Sequence, residues 1–429
     1  MNQAIGQTSP ASPATSSIPE AHASGPSIRR RGASRGVAFT GFSLILVLLF
    51  ASSAAPSPFF VVYQAEWGFP SWWISFAFAV YAVTLLVALL TVGSLSDHIG
   101  RRPVLIGALA FQAAAMVLFA FAPSIGTVVL ARAIQGFATG AATGAFSAAL
   151  TDLAPANNRA LGATISGLSS VGGLAIGAIL AGVSIEAEAD PIVGTFLALA
   201  AVFILGLAFV VVSPESVTPR AGALRSLRPH VAIPARARGE FGMAVPVLLA
   251  EWMTGGLFLG LVPEILRDVF HVDSGLVSGG TIAALSLVGA VSIFLSRRAA
   301  ARTVVIAGSF ALLLGVGAVA ASFLLASIVL LAIGTVVVGV GFGITFAAEL
   351  RLIAPLAEAH QRGEMFAAIY VVAYLSFGVP AIVAGAAASI FHLVPTAIAY
   401  TLVVVLSAAV GTLVHLARAR RAGAGVRAR

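Results

Sequence analysis

Long apolar runs alternate with short polar segments along almost the whole chain. Each run is about 20 residues or longer, the length that an α-helix needs to cross the hydrocarbon core of a bilayer. The polar segments are too short to be domains, so consecutive helices must be antiparallel neighbours. The pattern predicts twelve spans, at roughly 37–63, 71–95, 103–123, 125–153, 159–184, 191–213, 241–267, 274–298, 302–322, 325–351, 362–388 and 393–418.

Composition supports the same class. The 429 residues are 59% hydrophobic and 9% charged, whereas a soluble protein has about 25% charged residues. The fold class is therefore an all-α polytopic membrane protein. Since cysteine is absent, disulfides and thiolate metal sites are excluded. No phosphate-binding G-x-x-x-x-G-K loop, H-E-x-x-H pair or nucleophile elbow occurs, so we expect no metal, no cofactor and no enzyme activity.

The arginines indicate the topology. All basic side chains are arginine, the net charge is +8, and nearly all of them lie between the spans and on one side. This distribution indicates orientation and not a phosphate-binding face, so we expect no nucleic-acid partner. The positive-inside rule predicts a multi-pass protein of the cell (plasma or inner) membrane with both termini cytoplasmic. The arginines on this side include Arg29, Arg30, Arg31, Arg35, Arg101, Arg102, Arg159, Arg220, Arg225, Arg228, Arg236, Arg238, Arg297, Arg298, Arg302, Arg351 and Arg362, whereas Arg267 falls on the other side.

A polar segment divides the chain into two similar halves. Residues 214–240 contain five arginines and four prolines. They are predicted to be a cytoplasmic linker between an N-terminal six-helix half, 37–213, and a C-terminal six-helix half, 241–418. Short motifs recur at an offset of about 200 residues, as internal repeats in transporters do. Leu153-Ala154-Pro155 recurs as Ile353-Ala354-Pro355, and Leu95-Ser96 with Arg102 recurs as Leu295-Ser296 with Arg302.

The two ends of the chain are polar. Residues 1–36 are rich in Ser, Pro, Ala and Gly and are predicted to be a disordered cytoplasmic tail, and residues 419–429 form a second, arginine-rich tail. The first apolar run passes Ala-Ser-Ser-Ala-Ala, which also fits a signal peptide with a cleavage site. Cleavage would remove one span from the two-half pattern, so we expect Pro56 and Pro58 to kink a retained helix.

The turn between the second and third spans carries a motif. It resembles the G-x-L-(A/S)-D-x-x-G-R-(K/R) signature of the major facilitator superfamily, through Gly93, Leu95, Asp97, Gly100, Arg101 and Arg102. The alternative is a chance basic turn in an unrelated membrane protein. The resemblance implies a major facilitator fold of twelve transmembrane helices in two pseudo-symmetric six-helix bundles. It also implies a monomer that moves a small-molecule substrate by alternating access.

The same resemblance gives this turn a gating role. It implies that Asp97, Arg101 and Arg102, with Gly93 and Gly100 shaping the backbone, latch the halves together when the cavity faces outward. Asp97 is expected to face the N-terminus of the eleventh helix. Candidate partners of Arg101 and Arg102 are Asp152, Glu349 and Glu364.

Two charged residues inside the spans are candidate substrate or proton sites, because charges in a bilayer are costly. Arg132 and Gln135 match the family pattern R-x-x-Q-G in the fourth helix, which implies substrate binding or tuning of a proton site. Glu251 lies roughly ten residues into the seventh helix, or about 15 Å, near the midplane, where a carboxyl that exchanges a proton serves proton-coupled transport. Either residue could instead be structural, bonded between helices.

Aromatic side chains could line a central cavity suited to bulky amphipathic or cationic compounds. The candidates are Tyr370 and Tyr374, with Phe377, Phe346, Tyr81, Trp252 and Phe258. Each of these could equally face lipid or pack in a core.

The sequence of the fifth helix gives partial evidence for antiport. Its glycine run, 172–182, resembles the antiporter signature, but Ala178 replaces the central proline. We expect proton-coupled efflux. A sugar or metabolite facilitator or importer, a non-transporting sensor or scaffold, and a membrane-embedded enzyme remain alternatives.

Overall fold

The computed structural model describes residues 33–158, 160–187, 190–358 and 361–427. These residues contain twelve apolar helices long enough to cross a membrane, which confirms the predicted spans with shifts of a few residues at their ends. The predicted tail up to residue 32 and Arg159 lie outside the described residues. The helices are α1 Arg35–Trp67, α2 Trp72–Thr91, α3 Arg101–Ala120, α4 Ile125–Leu153, α5 Leu161–Ala187, α6 Pro191–Val212, α7 Arg238–Asp268, α8 Gly275–Ser296, α9 Ala301–Leu325, α10 Ile328–Leu356, α11 Arg362–Phe391 and α12 Leu393–Arg421.

The helices form two pseudo-symmetric six-helix bundles, α1–α6 and α7–α12. The first bundle packs around buried aromatic side chains such as Phe42, Phe119 and Phe146. Aliphatic side chains dominate the main core of the second bundle. The halves meet where α2 packs against α11 and α5 against α8. The repeated motifs occupy equivalent places, since Leu153 ends α4 and Ile353 ends the α-helical part of α10.

Two spans are interrupted. α1 consists of the segments Arg35–Ala54 and Pro56–Trp67, in agreement with a kink at the proline, which has no N–H for the helix. α7 contains a π-helical turn, Leu257–Leu261, directly after two glycines. The Leu259 carbonyl in this turn accepts a hydrogen bond from the Ser57 hydroxyl of α1. The interruption in one bundle thus meets the kinked helix of the other.

The two ends of the molecule differ in how closely the bundles approach each other. We call the end at which α1, α3, α5, α7, α9 and α11 begin the arginine-rich end, and the other the opposite end. Towards the opposite end, glycines bring backbones into contact: a Cβ at Gly279 of α8 would overlap the Ala178 carbonyl of α5, and one at Gly385 of α11 would meet the Ser75 side chain of α2. Small residues at these positions allow tight helix packing.

Substitutions at two adjacent glycines of α8 test this packing. Gly279→Ala must separate α5 from α8, whereas Gly280→Ala is the matched control because nothing lies within 4 Å of its new Cβ. We expect Gly279→Ala to lose about 1–3 kcal/mol of stability and to melt at a lower temperature in detergent. An equal melting temperature for the two variants would contradict this close contact.

Candidate functional site

Arg132 is fully buried in α4 and bonded to the kink of α1. Its Nη1 donates to the Ser53 carbonyl at 3.0 Å and to Gln135 Oε1 at 2.8 Å. Gln135 Nε2 donates in turn to the Ser52 carbonyl at 2.7 Å. Ser52 is four residues before Pro56, so its carbonyl has lost its helical donor. Gln135, which accepts a hydrogen bond from Arg132, therefore satisfies the carbonyl that the proline leaves open.

Aromatic rings cover the remaining surface of the Arg132 guanidinium. Its central carbon lies 5.3 Å from the centroid of Phe60, 4.7 Å from that of Phe78 and 5.1 Å from that of Tyr81, within the range of a cation–π interaction. Nε and Nη2 have no hydrogen-bond partner among the described residues. Two donor nitrogens of this buried cation are thus unpaired among the described residues.

Glu251 is buried in α7 as the sequence predicted, with 4% of its surface exposed. It is thirteen residues from the start of α7, or about 20 Å along the helix axis. The Thr345 hydroxyl of α10 lies 2.9 Å from Glu251 Oε2 and 2.8 Å from the Gly341 carbonyl. A hydroxyl placed between two acceptors can donate to either one.

The predicted aromatic residues Tyr370 and Tyr374 come together with Trp252 and Phe346. The Trp252 ring centroid lies 4.8 Å from that of Tyr374 and 5.8 Å from that of Phe346, and Tyr370 stacks on Tyr374 at 6.2 Å. Trp252 and Tyr374 also pack against the core of the first bundle. The cluster therefore lies at the interface of the bundles, next to Glu251.

Two other aromatic candidates lie elsewhere. Phe258 is fully buried in the core of the second bundle, which is the alternative that the sequence left open for these aromatic residues. Phe377 contacts Phe78 across the bundle interface, with 6.4 Å between ring centroids.

In the turn at the arginine-rich end, Arg101 is paired within its own bundle. Its Nη1 lies 2.5 Å from Asp97 and its Nε 3.5 Å from Asp152. Asp97, with 57% of its side chain exposed, therefore contacts Arg101 in this conformation and not the start of α11. Gly100 has φ +101°, which disfavours any other residue, and Gly93 lies against Gly144 of α4.

In this conformation, Arg102 does not form the ion pair that was predicted for it. Its side chain donates to the Val210 carbonyl at 3.2 Å and to the Val211 carbonyl, both at the end of α6. The Val210 carbonyl also accepts from the backbone N–H of Ser213. Arg102 contacts none of the three predicted carboxylates, because α3 packs along α6 and brings these carbonyls closer.

Glu215 is a partner that the sequence interpretation missed. Its two carboxylate oxygens accept from the backbone N–H groups of Arg101 and Arg102, each at 2.9 Å, and so cap α3. The available signal was a carboxylate directly after the end of α6, on the same side of the membrane as the start of α3.

Apart from the hydrogen bond from Ser57 to the Leu259 carbonyl, the polar contacts between helices of the two bundles lie at the opposite end. The Ser71 hydroxyl donates to Glu264, Arg267 Nη2 donates to Gln64 at 3.1 Å, and the Ser274 hydroxyl donates to a carboxylate oxygen of α5 at 2.7 Å. At the arginine-rich end, no hydrogen bond or ion pair between described residues joins a helix of one bundle to a helix of the other. The contacts thus close the opposite end.

Two six-helix bundles that close over buried polar groups define a polytopic helical membrane protein with a central interface. A model of the Major Facilitator Superfamily matches residues 42–379, and the chain belongs to this family.

Curated relatives match over short segments. The chain is 42% identical over 86 residues to the inner membrane transport protein YajR of Escherichia coli (strain K12), covering 20% of this chain and 18% of that one. It is 41% identical over 66 residues to the major facilitator superfamily multidrug transporter mfsB of Aspergillus fumigatus, covering 15% and 10%. The aligned segments thus span less than a fifth of either relative.

Solved structures share the fold over most of the chain. A bacterial homologue of the human lysosomal transporter Spinster, in an inward-facing and unoccupied conformation, has a TM-score of 0.71 at 13% identity and covers 89% of this chain and 97% of that one. The human organic anion transporter MFSD10 (TETRAN) has a TM-score of 0.61 at 18% identity, covering 88% and 100%. At these identities the likeness shows the fold alone.

Arg132 offers a test of the bonds at the kink. Arg132→Gln leaves the Ser53 carbonyl and Gln135 without their donor, so we expect a loss of about 1–3 kcal/mol of stability and a lower melting temperature. Arg298→Gln is the matched control, because Arg298 is exposed. If both variants melt like the unchanged protein, the hydrogen bonds of Arg132 do not stabilise the fold.

Proposed function

We propose that the protein is a secondary active transporter that exports a small molecule across the cell membrane in exchange for protons. The observation that carries this proposal is Glu251, a carboxyl near the midplane beside the aromatic cluster at the bundle interface. Membership of the family supports transport by alternating access. A carboxyl at this depth can take a proton from one side and release it to the other as the bundles move.

The side chains at the interface between the bundles suit an amphipathic organic substrate. Rings from α7, α10 and α11 offer flat apolar surfaces, and Trp252 Nε1 has no described acceptor. The similarity of one short segment to a multidrug transporter agrees with this class.

The proposed movement is a rocking of residues 37–213 against residues 241–418, joined by the linker 214–240. With the arginine-rich end and both termini in the cytoplasm, the closed opposite end corresponds to a cytoplasm-facing conformation. Opening to the exterior breaks the contacts at Ser71 and Gln64 and brings the arginine-rich ends of the bundles together.

In the outward-facing state, Asp97 is proposed to meet the start of α11 as part of the latch. Asp97→Asn removes the charge, and its effect on folding is small because Asp97 is exposed. We expect slower turnover in vesicles, with the melting temperature unchanged. The control is Asp273→Asn, an exposed carboxylate at the opposite end. An unchanged turnover rate would remove Asp97 from gating.

A facilitator or importer of a metabolite is the second candidate. The observation in its favour is Ala178, which stands where the antiporter signature has proline and whose carbonyl contacts Gly279 of α8. A facilitator equilibrates its substrate without a proton gradient, so the dependence on the gradient separates the two functions.

The direct test uses inverted membrane vesicles and fluorescent amphipathic dyes, with ethidium first. We expect an imposed pH gradient to drive dye accumulation by the unchanged protein, and Glu251→Gln to abolish it because the amide cannot exchange a proton. Glu66→Gln, an exposed carboxylate on α1, is the control. Full proton-driven flux in Glu251→Gln would exclude this carboxyl, and equilibration without a gradient would favour the facilitator.

A further inference from the structure

A second group of buried ionisable side chains lies in the second bundle, outside the site described above. Glu349 of α10 and His415 of α12 are 1% and 0% exposed, and Glu349 Oε1 lies 2.9 Å from His415 Nε2. On the other side of the ring, Arg302 Nη1 of α9 lies 2.9 Å from His415 Nδ1. Arg302 also holds both carboxylate oxygens of Glu240 of α7, at 2.7 and 2.8 Å.

The contact with Arg302 sets the tautomer of His415. A guanidinium can only donate, so Nδ1 must accept and carries no proton. The ring proton then lies on Nε2, next to the Glu349 carboxylate. While Arg302 occupies Nδ1, a further proton that enters the pair has to bind Glu349. Neither carboxylate oxygen of Glu349 has a hydrogen-bond partner of good geometry among the described residues, and neither has His415 Nε2, so the two side chains are neighbours at 2.9 Å without an aligned hydrogen bond.

Thr345 joins Glu251 to α10, the helix that carries Glu349. It lies one helical turn before Glu349 on α10, so the two side chains share a face. Its hydroxyl reaches both Glu251 Oε2 and the Gly341 carbonyl. When Glu251 is ionised, the hydroxyl can donate to it. When Glu251 is protonated, Glu251 can donate to the hydroxyl, which then donates to Gly341.

Exposure increases along the row towards the arginine-rich end. Glu349 and His415 are buried, Glu240 and Arg302 are 13% and 25% exposed, and Arg418, which lies 3.9 Å from Glu240, is 61% exposed. These groups come from α7, α9, α10 and α12. The remaining neighbour of α12 is α11, whose tyrosines Tyr370 and Tyr374 face Trp252 and Phe346 instead.

The first bundle shows that the fold does not need this row. Arg102 occupies the position in α3 that Arg302 occupies in α9, at the offset of the internal repeat. Arg102 is satisfied by backbone carbonyls at the end of α6 and by no buried acid or histidine. A packing role alone thus leaves the buried Glu349 and His415 unexplained.

We propose that Glu349, beside His415, is a second proton-binding site, which lies on the arginine-rich side of Glu251 and exchanges protons with it. Arg302 is a positioning residue, because it fixes the ring of His415 without taking up the proton. The net step is transfer of one proton from the Glu349 carboxyl to the Glu251 carboxylate, or the reverse, with the Thr345 hydroxyl holding the Glu251 end of the path. This inference rests on the proposed proton coupling.

Infrared difference spectroscopy of the purified full chain tests proton binding without any substrate. As the pH is lowered in steps, the carbonyl band of protonated carboxyls grows, and Glu349→Gln should remove one component of it. Glu264→Gln, which removes a buried carboxyl at the opposite end, should keep that component. His415→Asn and Arg302→Gln should shift its midpoint pH, which a purely structural role would not do if the fold is retained.

Thr345→Val tests the transfer step with a side chain of nearly the same shape. It should keep the Glu349 infrared component and lose most of the proton-driven dye flux. Full flux in Thr345→Val would overturn the relay, and spectra of Glu349→Gln that match those of the unchanged protein would overturn the site. An unchanged protein that moves no dye but shows the Glu349 component would contradict the proposed transport and not the proton site.

Discussion

Ionisable side chains inside a bilayer have no water around them, so another part of the protein must satisfy each one. The surroundings of Arg132 show how this constraint shapes the first bundle. Pro56 removes the donor of one carbonyl of α1, Gln135 replaces that donor, and Arg132 binds the next carbonyl while aromatic rings cover its faces. The kink in α1 and the buried cation in α4 therefore form a single arrangement, in which each offsets the cost of the other.

The second bundle meets the same constraint with groups that can exchange protons. Glu251 accepts a hydrogen bond from a hydroxyl, and Glu349 lies 2.9 Å from a histidine whose other nitrogen faces an arginine. A fixed cation thus lies in one bundle and a row of titratable groups in the other, with the aromatic cluster between them. In the proposed mechanism, this division lets the substrate contact both bundles while the protons remain within one.

Movement of the bundles requires an interface that can separate. Glycines at the opposite end let backbones touch, so closure depends on few side chains and a small number of polar contacts. At the arginine-rich end, Asp97, Arg101 and Asp152 are satisfied within the first bundle. The charges of the proposed latch therefore need no partner in the other bundle while that end is separated.

The sequence by itself determined the number, order and approximate ends of the helices, because hydrophobic length is a local property that the bilayer requires of each span. It also located Arg132 and Glu251, since a charge in an apolar run is visible without a structure, and it located Gln135 through the pattern that it shares with Arg132. Only the tertiary structure decided which partners the polar side chains have. Arg102 binds carbonyls of α6, Glu215 caps α3, and Glu349 lies next to His415. These contacts join residues far apart in sequence, so they depend on how the helices pack and on which end of the bundle is closed.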